Sequence, residues 1–358
     1  MIFQISKWFL LFSILVSCSY PQRKNSLNQF EHLRNREFND GWKFSSDSIA
    51  GAEQPEFNDS AWQTVELPHD WSIENRAQSV SDERVGIFSR KSPGGQSTGH
   101  IPGGSAWYRK TFFIDSSDQD KIFNLNFDGV YMLADIWVNG TKAGSHFYGY
   151  TPFSFNITSF LKSNEKNIVA VKVRNLGENS RWYSGSGIYR QVTLQVTEPV
   201  YIDDRDVFIS TISAGKEKAS IELSLKIRNE SNKVLDASVL ISIKDQNGRK
   251  VYDKNLVQKL TTGITMLPSQ SIEIKSPNLW SSENPYLYGL IIEIYSGEKV
   301  YDTFSLPVGI RTLSFSAEKG FSLNGISLKI RGACVHSDNG LLDYYPGLVT
   351  IHGVAIWI

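Results

Sequence analysis

Apolar and polar residues alternate with a period of two along most of this chain, which leaves little room for anything but sheet. In Ile221-Glu222-Leu223-Ser224-Leu225-Lys226-Ile227-Arg228 the alternation is strict over eight residues. Successive side chains of a strand point to opposite faces, so this segment predicts a half-buried antiparallel strand. Asn-Gly pairs at 139/140, 247/248 and 324/325 each sit between such runs. The pair suits a type I′ turn, whose two central residues both need positive φ, and three hairpins are expected there. No capped helical stripe is sustained between residues 36 and 330, and short strands with frequent turns over that length point to β-sandwiches.

The 358 residues suffice for two ordinary domains and a remainder. One boundary is expected near Glu198-Pro199, where a strand-like stretch gives way to the polar segment Asp203 to Asp206, and another near Leu306 to Leu313. The first body is rich in Trp, Gly and loops. Its longest loop, Arg90 to Gly104, holds five Gly and two Pro, and on a sandwich such a loop makes either a binding edge or a disordered segment. The 37 basic and 37 acidic residues cancel, so no net field draws the chain to nucleic acid or to an anionic membrane face, and a neutral substrate suits that balance. Aromatic residues make up 12% of the chain; most are expected in cores, and any exposed ones could stack on sugar faces.

The N-terminus reads as an address. Lys7 precedes the apolar run Trp8 to Val16, too short for a membrane span of about 20 residues and suited to a signal peptide. Leu15-Val16-Ser17-Cys18 resembles the bacterial lipobox, which implies lipidation of Cys18 and a cell-envelope location; an ordinary signal with a chance Cys is the plainer reading. The polar segment that follows cannot bury enough apolar surface to fold and is expected to be a tether. The one other cysteine, Cys334, leaves no disulfide framework. The six His show no metal-ligand spacing, the paired glycines lack a P-loop context, and Ser184-Gly185-Ser186-Gly187 suits close backbone packing better than a nucleophile; neither metal nor cofactor is expected.

From Phe57-Asn58-Asp59-Ser60-Ala61-Trp62 and Leu67-Pro68-His69-Asp70-Trp71 onward, the sequence resembles glycoside hydrolase family 2, the family of β-galactosidases, β-glucuronidases and β-mannosidases. Gly104 to Lys110, Asp135 to Gly140 and Gly149 to Phe153 are similar to successive segments of its sugar-binding jelly roll. Asn179 to Arg190 resembles the signature that closes that domain. Leu279-Trp280, Pro285 to Tyr288 and Val308 to Arg311 resemble its immunoglobulin-like second domain, and Phe321 to Gly325 with Arg331 to His336 resemble the lead-in and first strand of its catalytic TIM barrel.

The resemblance implies an all-β chain with these parts: signal peptide 1–18, tether 19–35, jelly roll 36–198, immunoglobulin-like sandwich 199–313, and a truncated barrel start with a divergent tail at 314–358. It also implies retaining hydrolysis of β-glycosides by two carboxylates. A (β/α)₈ barrel typically takes about 250 residues. From Ser314 onward the acids are Glu318, Asp338 and Asp343, none in the family's acid or nucleophile motifs, so no catalytic residue is assigned and the isolated chain is expected to be inactive. Ser337 stands where the family commonly has a second His, and the β-branched tail from Tyr344 departs from the family's continuation, as a frameshift or premature stop would produce; the other reading is a short protein whose tail caps the second domain. By resemblance, Arg181 is the residue that reaches from the first domain into the sugar site, with a structural partnership to a loop carboxylate as the other reading, and His336 matches the one that hydrogen-bonds substrate at the end of the first barrel strand but, with no barrel around it, is expected to be exposed and idle. The alternative is a surface carbohydrate-binding module without hydrolase activity.

Overall fold

The computed structural model describes residues 34–46, 49–74, 84–85, 88–92, 94–101, 103–177, 184–335 and 353–357. Cys18, Arg181 and His336 lie outside them. The described residues form an all-β structure of two successive sandwiches, as the alternation predicts.

The first sandwich packs a four-stranded sheet on a six-stranded one. The smaller runs in the order Asn35–Glu37, Val192–Thr197, Ile122–Phe127 and Phe153–Asn156; the larger runs Gln63–Val65, Trp42–Ser45, Gly104–Phe113, Lys166–Asn175, Leu133–Val138 and Thr141–His146. Their inner faces meet in one apolar core that includes Trp42, Tyr108, Leu125, Phe127, Ile136 and Val171. Lys166–Asn175 lies between two partners and is buried at most positions, so it reads as a near-continuous apolar run, Ile168 to Val173.

The second sandwich pairs Lys218–Asn229 with Val207–Ala214 on one side and with Gly263–Met266 and Gln270–Lys275 on the other. Facing it is a sheet ordered Lys250–Leu260, Leu235–Lys244, Tyr288–Ser296 and Lys299–Val308. In the strand that contains the strict alternation, Ile221, Leu223, Leu225 and Ile227 are buried between more exposed neighbours, as a two-residue period requires.

All three Asn-Gly pairs connect antiparallel strands. At Asn139-Gly140 and Asn324-Gly325 both residues have positive φ, the type I′ requirement. At 247/248 only Gly248 does. There the Asp245 carboxylate accepts from the N–H groups of Asn247 and Arg249, both at 2.9 Å, and this local bonding favours a longer turn with Asn247 outside the left-handed region.

Two of the residues assigned to the tether, Arg34 and Asn35, belong to the fold. Asn35 is in a strand, and Arg34 is buried against the second sandwich, donating to Asp302 at 3.3 Å and to the Ile202 carbonyl at 2.5 Å. Polar composition misleads there because an arginine buries its stem readily once its charge is paired. Beyond the sandwiches, Leu313–Ser316, Gly320–Leu323 and Ile326–Ser327 form a small sheet. The expected first barrel strand, Arg331–Val335, pairs antiparallel with Gly353–Trp357, whereas barrel strands run parallel.

Candidate functional site at one end of the first sandwich

The antiparallel registers bring several separate segments to one end of the first sandwich. Gly104 faces Asn175, Leu133 faces Arg174, and Ala134 faces His146, so the loops before Gly104, before Leu133, after His146 and after Asn175 emerge together. The segment 184–190 is laid across this end. On one flank His69 N–H donates to the Ile188 carbonyl at 2.9 Å and Trp71 N–H to the Ser186 carbonyl at 3.0 Å; on the other, Tyr131 and Gly187 exchange both backbone bonds. Gly187 has φ +136°, and a Cβ there would lie 2.4 Å from the His69 carbonyl oxygen and 2.5 Å from the Tyr108 hydroxyl, so glycine alone fits this three-way crossing.

Asp70 fixes that crossing. Its Oδ1 accepts from Ser186 N–H at 2.8 Å, Ser72 N–H at 2.9 Å and Ser72 Oγ at 2.6 Å. Its other oxygen packs so closely on Gly185 that a Cβ there would lie 2.0 Å from it. Burial pushes the Asp70 carboxyl above the usual range, and the bonds from Ser72 and Ser186 oppose that rise. Beneath it the His69 Nδ1 and Tyr108 hydroxyl lie 2.7 Å apart, and Asn175 donates to the Ser186 hydroxyl at 2.8 Å.

The other half of the end is aromatic. Tyr131, Tyr148, Tyr150 and Tyr189 gather around Gly149, whose carbonyl accepts from the Tyr189 hydroxyl at 2.8 Å. Burial, with Tyr131 beside it, raises the Tyr150 phenol well above its ordinary value. Asp128 lies at the same end; its side chain reaches solvent, yet the surrounding protein displaces enough water to raise its carboxyl, against the pull of Arg190.

The segments bordering Arg181 end at Gly177 and resume at Ser184, and the latter is buried at this end. The loop Arg90 to Gly104 is folded on itself over its described part: Ser92 Oγ donates to the Ile101 carbonyl at 2.7 Å, and Ser89 N–H to the His100 carbonyl at 2.8 Å. Other singled-out motifs are architectural. Arg109 is buried and donates to Asp59 at 2.8 Å and to the Ala52, Gln54 and Phe57 carbonyls, pinning the Phe57 to Trp62 segment to the sheet. Asp135 is held by Arg174 and Lys142, and Asn139 bonds Phe160, Asn167 and Ile168. Among the described residues no three His, Cys, Asp or Glu side chains gather closely enough to hold a metal ion.

Comparison with known proteins gives two matches in sequence order. Residues 36–199 match the family model described as "Glycosyl hydrolases family 2, sugar binding domain", and residues 200–311 match "Glycosyl hydrolases family 2". The chain is 40% identical over 307 residues to a β-galactosidase of Bacteroides ovatus, covering 86% of this chain and 35% of the relative. It is 29% identical to a β-glucuronidase of Bacteroides fragilis, covering 76% of this chain and 38% of that one. A solved family 2 member from Bacteroides cellulosilyticus superimposes with a TM-score of 0.80 at 38% identity, over 86% of this chain and 39% of that structure. The chain thus spans little more than a third of the length of these relatives.

Proposed function

The chain belongs to glycosyl hydrolase family 2, and from that premise we propose that it is the N-terminal part of a retaining glycosidase that cleaves β-glycosides. The observation that carries the proposal is the end of the first sandwich: a rigid crossing of 69–71, 184–190 and Tyr131, bordered by aromatic rings, in the domain whose family model is named for sugar binding. Retaining chemistry needs a carboxylic acid to protonate the leaving oxygen and a carboxylate about 5 to 5.5 Å from it to attack the anomeric carbon. Asp70 does not suit either task, because one of its oxygens is already committed to three donors and the other packs against Gly185. We therefore assign no catalytic carboxylate to the two sandwiches; their task is to hold and orient the glycan. In this reading Arg181 extends from the ordered crossing towards the sugar, offering forked donors to hydroxyls, and His336 binds substrate beside the barrel's first strand. Lipidation at Cys18 tethers the protein to a bacterial envelope membrane, which incorporation of labelled palmitate, lost in Cys18→Ala, would demonstrate.

The test of the main proposal is the sequence encoded downstream of the Ile358 codon, in all three frames. A barrel carrying two catalytic Glu supports the hydrolase; the absence of any barrel overturns it in favour of a surface carbohydrate-binding module, which the exposed rings at the same end would then serve.

A further inference from the structure

The small sheet beyond the second sandwich, Leu313–Ser316, Gly320–Leu323 and Ile326–Ser327, sorts its residues by face. Leu313 stands opposite Leu323, Phe315 opposite Phe321 and Leu323 opposite Ile326, while Ser314 and Ser327 each stand opposite Ser322. Directly opposed residues of a sheet share a face. One face therefore holds Leu313, Phe315, Phe321, Leu323 and Ile326, and the other holds the three serines; the Phe315 and Phe321 rings, 5.1 Å apart, agree with this. The apolar face is open: Phe315 is 74% exposed, Ile326 67% and Leu313 54%, with Leu323 buried in the row between the last two.

The sheet is fixed with that face already formed. Asn324, in its hairpin turn, donates from its side chain to the Trp280 carbonyl at 3.0 Å and from its N–H to the Thr312 carbonyl at 2.9 Å, while its Oδ1 accepts from Thr312 N–H at 3.0 Å. Three short strands with an apolar face are stable when that face is packed, and a contiguous apolar patch left in water marks an interaction surface. The surrounding segment is basic. Between residues 311 and 331 stand Arg311, Lys319, Lys329 and Arg331 against Glu318 alone, in a chain whose charges otherwise cancel. Lys319, Lys329 and Arg331 are exposed and have no ion pair among the described residues. The chain leaves this sheet for Arg331–Val335, the strand that resembles the first of the barrel, and the greater part of each relative lies outside the matched 35% or 39%.

We propose that the apolar face of this sheet is the seat of the catalytic barrel: it docks an apolar patch of that domain, edged by carboxylates that meet Lys319, Lys329 and Arg331. The inference rests on the reading that a hydrolase barrel follows these sandwiches, and it deepens that reading by naming the surface that sets the barrel's position against them. A second copy of this chain is the competing occupant.

The test compares Phe315→Ser/Ile326→Ser in the 358-residue chain and in the longer product that carries the barrel. In the 358-residue chain both side chains face water, so the double variant should keep the wild-type melting temperature, which checks its folding, and should lose most of the fluorescence of bound anilinonaphthalenesulfonate. In the longer product the wild type should bind little dye, and the double variant should melt about 4 °C or more below it. Ser314→Ala, on the opposite face, should change neither property. Equal melting of the double variant and wild type in the longer product overturns the seat, as does failure of the wild-type 358-residue chain to bind dye. A 358-residue chain that sediments as a dimer, and as a monomer once Phe315 and Ile326 are replaced, gives the face to a second copy and also overturns it. If no barrel is encoded downstream, the seat and the hydrolase reading fall together; a barrel indifferent to the double variant removes the seat alone.

Discussion

The two sandwiches solve the same packing problem differently. In the second, the apolar core is almost all aliphatic, supplied by strict alternation along long strands such as Lys218–Asn229 and Leu235–Lys244. In the first, one end replaces aliphatic packing with a half-buried carboxylate that accepts three hydrogen bonds, a buried His-Tyr pair, tightly approached glycines and a cluster of exposed rings. A sandwich core does not require this arrangement, and burying polar groups costs free energy unless they are hydrogen-bonded. The contrast teaches that the first sandwich concentrates its close backbone crossings at the end where the glycan is proposed to sit, while the second is built as a plainer core.

The second sandwich is joined to the first by a buried ion pair, Arg34 with Asp302, and breaking it should have the largest effect. Arg34→Ala leaves Asp302 buried without its cation, a loss of about 3 to 5 kcal/mol, to be measured by denaturant unfolding. Burial already pushes the Asp302 carboxyl up, with Arg34 opposing it, so protonation relieves the unpaired charge and the loss should shrink as pH falls. Next is the aliphatic core: Leu223→Ala, fully buried, should cost about 2 to 5 kcal/mol and, by hydrogen exchange, open the second sandwich more than the first. Gly187→Ala should cost about 1 to 3 kcal/mol, with exchange rising at 69–71 and 184–190 while the second sandwich stays protected.

The smallest effect at neutral pH should come from Asp70→Asn, which keeps an accepting oxygen but removes a half-buried charge. The folded pKa of Asp70 lies above its unfolded value, so the folded chain binds a proton more readily and wild-type stability falls as pH rises through the window between the two. The variant lacks that loss. Its stability relative to wild type should therefore rise with pH across that window and level off above it, as thermal melts over a pH series would record.

Much of this was legible in the residues. The alternation at Ile221 to Arg228 gave the strand and its buried face, because a two-residue period has one structural reading; the Asn-Gly pairs gave the hairpins. The turn at Asn247 escaped because Asp245, two residues before it, supplies competing side-chain bonds. Arg34 escaped because burial of a charged side chain depends on a partner 268 residues away. At the candidate site, the motifs at 67–71 and 179–190 were visible through resemblance, but the commitment of Asp70 to Ser72 and Ser186 was not, since it is made only when the two segments cross. The consecutive rings of His146-Phe147-Tyr148-Gly149-Tyr150 were a signal that composition obscures: most aromatic residues of such a chain are core, and only exposure distinguishes these.

The central claim is that the two sandwiches hold a glycan while bond cleavage belongs to residues outside them. The most direct measurement is release of nitrophenol from a nitrophenyl β-galactoside by the purified 358-residue chain, beside a mock purification from cells that lack it. The account predicts no release above the mock. Turnover that copurifies with the chain and is missing from the mock would contradict it.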